Sequence, residues 1–278
     1  MDPATAPPDA LVVARLRAAG CVFAEDEASL IISTARTPEE LAVMVDRRVD
    51  GLPLEQVLGW AEFCGLRIAV DPGVFVPRRR TEFLVQLAAA VLAREDNPPR
   101  PPRTGAAARD IVADLCCGAG AIGAALAARV GRLEVHAVDI DPAAVRCAGR
   151  NLVSSGGRVY QGDLFDPLPS ALRGRVAVIA ANVPYVPSDE VRLLPAEARA
   201  HEPLVALDGG PDGLDVLRRV AAGAPDWLGP GGHLLIETSE RQVTPAVAAF
   251  EASGLAVRVE SSDDLNATVV IGTSSAAS

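Results

Sequence analysis

Aromatic residues are scarce in this chain: six Phe, two Trp and two Tyr make up only 4% of 278 residues. An aromatic beside a motif is therefore informative. Long apolar runs are missing as well. No stretch reaches the roughly 20 consecutive apolar residues that a membrane-spanning helix needs, and the opening MDPATAPPDA lacks the basic-then-apolar pattern of a secretory signal. A cytoplasmic protein with no membrane partner is expected. Positive charge is in deficit, with 26 Lys and Arg against 36 Asp and Glu and a net charge of −10. A broad phosphate-neutralising surface is thereby disfavoured, and direct binding of nucleic acid is not expected. The cysteines Cys21, Cys64, Cys116, Cys117 and Cys147 include no CxxC pair, and His136, His201 and His233 are scattered. Neither a disulfide framework nor a metal site is expected.

What is present is aliphatic residues and alanine, within an apolar share of 49% that can fill a sizeable core. The first fifty residues read as helices. Ala10–Ala19 has helical spacing and stops at Gly20. Thr37-Pro38-Glu39-Glu40 supplies an N-cap, a proline at the first helical position and a glutamate three residues after the cap, opening a helix that runs to about Asp50. Trp60–Val70 reads as a hairpin around Gly65, followed by a turn at Asp71-Pro72-Gly73 and a helix over Thr81–Arg94. Asn97–Arg109 is a proline- and arginine-rich loop. From Ile111 onward strands alternate with helices. Strands are expected at Ile111–Leu115, Glu134–Val138, Arg158–Gln161, Val176–Ala181 and His233–Glu237, with helices at Ala121–Val130 and from Asp141-Pro142 to about Leu152. Leu255–Val259 and Ala267–Ile271 would close the sheet edge as a hairpin. This rhythm predicts an α/β fold with a mostly parallel, doubly wound sheet of Rossmann type. The expected organisation is a helical substrate-recognition region at 1–52, a hairpin linker at 53–80 and a catalytic domain at 81–278.

The first strand of the alternating part delivers Asp114-Leu115-Cys116-Cys117-Gly118-Ala119-Gly120-Ala121-Ile122-Gly123. Glycines at a strand-to-helix turn let the backbone approach a ligand closely. Gly118, Gly120 and Gly123 also satisfy GxGxxG, so a dinucleotide is a competing ligand. Three carboxylates shift the balance. Asp114 at the end of the first strand would repel a diphosphate and attract an amine-bearing cation. Asp139 at the end of the second suits ribose hydroxyls. Asp163, in Gly162-Asp163-Leu164-Phe165, suits the exocyclic amine of adenine, with Leu164 against the ring. Together they describe a pocket for S-adenosylmethionine.

The fourth strand runs into Asn182-Val183-Pro184-Tyr185 at the same carboxyl edge. A planar –NH2 group has a delocalised lone pair and is a poor nucleophile. The Asn182 side-chain carbonyl and the Val183 backbone carbonyl can accept its two hydrogens, while Tyr185 offers a face to stack on. These motifs, with Gly59-x-x-Glu62-Phe63, Pro77-Arg78-x-x-Thr81-Glu82, Glu202-Pro203, Asp208-Gly209-Gly210-x-Asp212-Gly213, Pro230-Gly231-Gly232 and Glu237, resemble the bacterial protein-(glutamine-N5) methyltransferases that modify peptide-chain release factors. The resemblance runs from about Leu52 to Gly272. It implies a class I methyltransferase fold of seven strands, S-adenosylmethionine as cofactor and a glutamine-bearing protein, possibly a release factor, as partner. On that basis Asn182, Val183, Pro184 and Tyr185 are expected to be catalytic. The cofactor is expected on Asp114, Cys116, Gly118, Gly120, Ile122, Asp139, Ile140, Asp163, Leu164 and Asn182, and the substrate on Pro77, Arg78, Thr81, Glu82 and Tyr185. The chain departs from the family pattern in carrying Val183 for a proline, Cys116 for a glycine, and Arg79-Arg80 for Pro-Glu. The alternatives are an exocyclic amine of adenine or another small planar amine as acceptor, and a non-catalytic cofactor binder.

Overall fold

A computed structural model describes residues 8–93 and 109–275. The expected loop at Asn97–Arg109 lies outside them apart from its last residue. Four helices come first: α1 (Pro8–Ala18), α2 (Ala24–Thr34), α3 (Pro38–Val49) and the short α4 (Leu54–Leu58). The start of α3 follows from its sequence: Thr37 accepts a hydrogen bond from the Glu40 amide at 3.1 Å. Glu40 reaches back to the Arg36 amide, one residue beyond the N-cap, at 2.8 Å. Leu16, Ile31, Met44, Val45 and Val57 close a small core of their own between these helices.

The hairpin β1 (Trp60–Phe63) and β2 (Leu66–Ala69) turns on Cys64 and Gly65, both with positive φ. Its inward residues Ala61, Phe63 and Ile68 pack into the core of the large sheet together with Val70 and α5 (Glu82–Ala93). The segment at 53–80 thus contributes packing to the large core as well as a connection.

The large sheet is built from β3 (Asp110–Leu115), β4 (Leu133–Asp139), β5 (Arg158–Gln161), β6 (Val176–Ala181), β7 (Leu228–Thr238), β8 (Ala256–Ser262) and β9 (Ala267–Thr273). Its order is β5-β4-β3-β6-β7-β9-β8; the first five strands are parallel and β9 and β8 add antiparallel. Helices α6 (Ala121–Val130) and α7 (Pro142–Leu152) join α5 on one face, while α9 (Asp215–Trp227) and α10 (Val243–Ala252) cover the other. Strand alternation explains the two faces: Ile111, Ala113 and Leu115 of β3 belong to the α9–α10 core and Val112 to the opposite one. The expected strands and the helices at α6 and α7 are found within a few residues of their predicted bounds. α9 and α10, and the short α8 (Ala196–His201), have no counterpart in the sequence reading; Pro225 inside α9 is a breaker signal that the helix tolerates near its end.

The helical region and the sheet domain meet at Arg48. Its guanidinium binds Glu27 at 2.7 Å, the Leu52 carbonyl at 2.9 Å and, across to α8, Glu197 at 3.1 Å. The Arg48 and Glu27 side chains are only 13% and 11% exposed. Removing one partner of so enclosed a pair strands the other charge. Arg48→Met, which keeps the apolar stem, is expected to lower the free energy of urea unfolding by about 3 kcal/mol. Unchanged unfolding would show the pair to be dispensable.

Candidate active site

The strand order reverses between β3 and its two neighbours, β4 and β6, and the carboxyl ends of these strands open onto one cavity of about 420 Å³. That volume suits a small-molecule site. The ends of successive strands and the turns after them supply its wall: Cys116 and Gly118 after β3 with Ile122 of α6, Asp139 ending β4 with Ile140 after it, Asp163 and Leu164 after β5, and Asn182, Val183, Pro184 and Tyr185 after β6. Pro77, Arg78 and Thr81 come in from the segment before α5.

The glycine turn is shaped by Asp139. Its carboxylate accepts from the Gly118 amide at 2.8 Å and from the Asp141 amide at 2.9 Å. Burial pushes the Asp139 carboxyl above its usual range, against these amide hydrogen bonds, which lower it. Asp163 lies at the rim paired with Arg219 at 2.7 Å. Leu164 and Cys116 both take positive φ. At Cys116 a side chain occupies a left-handed backbone position that glycine fills without strain.

Three residues expected in the cofactor and substrate sets lie off the cavity wall. Asp114 is fully buried beneath the glycine turn. Its Oδ2 accepts from the Gly123 amide at 2.9 Å while Oδ1 has no partner. It ties β3 to the start of α6. Gly120 is needed for packing: a Cβ there would sit 3.0 Å from that of Ala148 on α7. Glu82 turns the other way and accepts from the Cys64 amide at 2.8 Å, fastening the hairpin to α5.

On the acceptor side Asn182 donates through Nδ2 to the Thr81 hydroxyl at 3.2 Å. Arg80 donates to the Tyr185 hydroxyl and, at 2.9 Å, to Glu237. Arg78 reaches the buried Glu202 at 2.6 Å and lies over the Phe75 ring. The cavity wall also takes Leu194, Pro195, Ala198 and Leu207 from the segment after the acceptor loop. Within that segment only Glu202-Pro203 figured among the motifs, and the apolar residues around it were not singled out. Gln242, which donates to the Tyr185 carbonyl at 2.9 Å, was also missed. Among the described residues no group of His, Cys, Asp and Glu could hold a metal ion. None of their helices is long and apolar enough to cross a membrane.

The Asp114 carboxyl is pushed up to about 8, first by burial and then by the charge of Asp139, against the Gly123 hydrogen bond. In the unfolded chain an aspartate titrates near 4. The folded state therefore favours the protonated form. Its stabilising contribution is complete below about pH 4 and is lost as pH rises toward about 8. Urea unfolding is expected to show this decline in the parent and not in Asp114→Asn, which holds a neutral group there at every pH. Parallel pH profiles for the two proteins would refute the assignment.

A family model for the methyltransferase small domain matches residues 81–197. The release factor glutamine methyltransferase of Geobacter sulfurreducens is 38% identical over 222 residues, covering 78% of this chain and 72% of that protein. The one from Moorella thermoacetica is 41% identical, covering 75% and 72%. A 4-amino-L-phenylalanine/4-methylamino-L-phenylalanine methyltransferase of Streptomyces pristinaespiralis is 37% identical, covering 76% and 69%. Among solved structures, ribosomal protein L11 methylase from Lactobacillus delbrueckii subsp. bulgaricus aligns with a TM-score of 0.51 at 15% identity, covering 75% of this chain and 85% of that one; it shows the shared fold. The turns at the carboxyl edge, the family match across them and relatives covered over more than two thirds of their length agree: this chain is an enzyme, an S-adenosylmethionine-dependent methyltransferase, and it belongs to the release factor glutamine methyltransferase family.

Proposed function

We propose that the enzyme methylates the side-chain amide nitrogen, N5, of a glutamine in a protein, with a peptide-chain release factor as the first candidate. The relatives named for that activity support this substrate. The observation that carries the chemistry is the orientation of Asn182: with its Nδ2 committed to Thr81, its carbonyl is left to accept from an –NH2 group in the cavity.

The donor, when bound, supplies an electrophilic methyl group. Cys116, Gly118, Ile122, Asp139, Ile140, Asp163 and Leu164 would hold it, and they fit. Gly118, at positive φ, presents backbone without a side chain to the cavity, and the desolvated Asp139 carboxylate suits hydrogen-bond donors such as ribose hydroxyls. The chain's own work is orientation. Two carbonyl acceptors, on Asn182 and Val183, fix the plane of the amide, and the Tyr185 ring packs on that plane. A nitrogen with four bonds is strongly acidic, so its proton needs no base of raised pKa. Rate comes from positioning and preorganised hydrogen bonds. The helical region at 1–52 carries none of these groups, and its assigned role is recognition of the protein substrate.

Parallel incubations with a labelled methyl donor and either purified release factors or 4-amino-L-phenylalanine, followed by mass spectrometry of the modified product, test the reading. Label on a glutamine side chain is the expected result. Label on a small arylamine alone would move the substrate toward that of the Streptomyces pristinaespiralis relative. Asn182→Ala should cut turnover by roughly 10²–10³ with near-normal cofactor affinity; a loss of only a few-fold would make the loop an ordinary turn. Asp139→Ala should weaken S-adenosylmethionine binding at least about tenfold by calorimetry, as expected for loss of a charge-assisted hydrogen-bond acceptor. Unchanged affinity would remove Asp139 from the cofactor site.

A further inference from the structure

The two side chains assigned to the acceptor, Asn182 and Tyr185, are each held from behind by the segment before α5, through Thr81 and Arg80, and Arg80 is anchored on a buried carboxylate that does not itself line the cavity. Glu237, near the end of β7, is 2% exposed in its side chain. Its Oε1 takes the Arg80 Nε at 2.9 Å, and the same guanidinium donates to the Tyr185 hydroxyl and stands 5.5 Å from the centre of that ring. Glu237 Oε2 has no hydrogen-bond partner. Burial raises the Glu237 carboxyl, against the opposing influence of Thr81 and Arg80.

Thr81 sets the sense of the Asn182 amide. Its hydroxyl oxygen accepts from the –NH2 end of Asn182 at 3.2 Å, which leaves the amide carbonyl for the cavity. Without the hydroxyl, either end of the amide could face the cavity. The inverted one would present a donor to a donor.

We propose that Glu237, Thr81 and Arg80 form a positioning network in which Thr81 turns the Asn182 carbonyl into the acceptor cavity and Arg80, anchored on Glu237, fixes the Tyr185 ring. The inference rests on reading Asn182–Tyr185 as the acceptor loop. None of the three need touch the reacting atoms; they are positioning residues. Thr81 therefore changes role: it acts on the substrate through Asn182. Arg80, at 42% exposure of its side chain, gives up its free charge to become a directional donor.

The chain has two tyrosines, so in a Tyr160→Phe background Tyr185 titrates alone by ultraviolet difference absorbance. Burial raises the Tyr185 phenol while Arg80, and less strongly Arg78, lower it and Glu237 raises it. Arg80→Ala is expected to move the phenol titration to higher pH, and to reduce turnover on a release factor roughly tenfold at saturating acceptor while cofactor affinity holds. Thr81→Val, nearly isosteric, should lower turnover roughly tenfold, and Thr81→Ser should restore it to within about threefold. An unmoved phenol titration in Arg80→Ala overturns the Tyr185 half. Full turnover in Thr81→Val, or a serine variant as impaired as the valine one, overturns the Asn182 half. The phenol titration needs no acceptor, so it still decides the Arg80 contact if release factors prove not to be substrates.

Discussion

Everything functional in this molecule depends on the reversal of strand order beside β3. With β4 paired parallel on one side and β6 parallel on the other, the connections leaving the carboxyl ends of β3 and β6 run to opposite sides of the sheet. No crossover covers the gap between them. Backbone amides and carbonyls that continuing strands would pair are there free to meet a ligand. The strands themselves lie between two helical layers and are mostly apolar on both faces, so polar chemistry gathers at their ends and in the turns that follow them. Asp114 and Glu237 are buried carboxyls within strands, and Asp114, its carboxyl raised chiefly by burial, holds the first turn of α6 in place.

The acceptor loop is the most exacting of these turns, because an amide plane must be held against water and thermal motion. Its stiffness comes from behind. Gln242 donates to both the Tyr185 carbonyl, at 2.9 Å, and the Asp212 carbonyl, at 3.0 Å. Gly209 packs so closely that a Cβ would come within 2.6 Å of the Pro184 carbonyl oxygen, and one on Gly213 would collide with that of Tyr185. The Asp-Gly-Gly-x-Asp-Gly run is thus a brace without side chains where it touches the loop. It also bears on Val183. A valine leaves φ freer than a proline would, but this one is buried in the α9–α10 core, and packing supplies restraint that the missing ring does not.

The fold was legible because its signals are local. The Thr37 cap, the Asp141-Pro142 start of α7 and the apolar run at 111–115 each act over a few residues. The places where the reading failed are where a side chain's partner is distant. Arg78 was expected on the substrate and Arg80 was marked only as a departure from the family pattern, yet they meet glutamates 124 and 157 positions away. Glu82 was expected on the substrate because it sits in a motif; its partner in the structure is the Cys64 amide of the β1–β2 hairpin, 18 positions away. Asp114 and Asp139 share the pattern of an acid at a strand end. One points into the core and the other to the cavity, which depends on where each strand stops relative to the sheet edge.

Pairing of charge then decides what kind of acceptor the cavity can take. The arginines on its wall, Arg78, Arg80 and Arg219, are each held by a carboxylate: Glu202, Glu237 and Asp163. Glu202 and Glu237 are buried, and desolvation alone would favour their neutral forms. The guanidiniums oppose that shift, and in return lose their freedom to attract other anions. The acceptor side therefore offers directed hydrogen bonds with little surplus field, a setting suited to an uncharged amide. On the cofactor side Asp139 and Asp141 accept from backbone amides, and among the described residues no arginine pairs with them. Their excess negative charge lies where a cationic donor would bind, so one cavity separates an anionic half from a neutralised one along the line between the β4 and β6 turns.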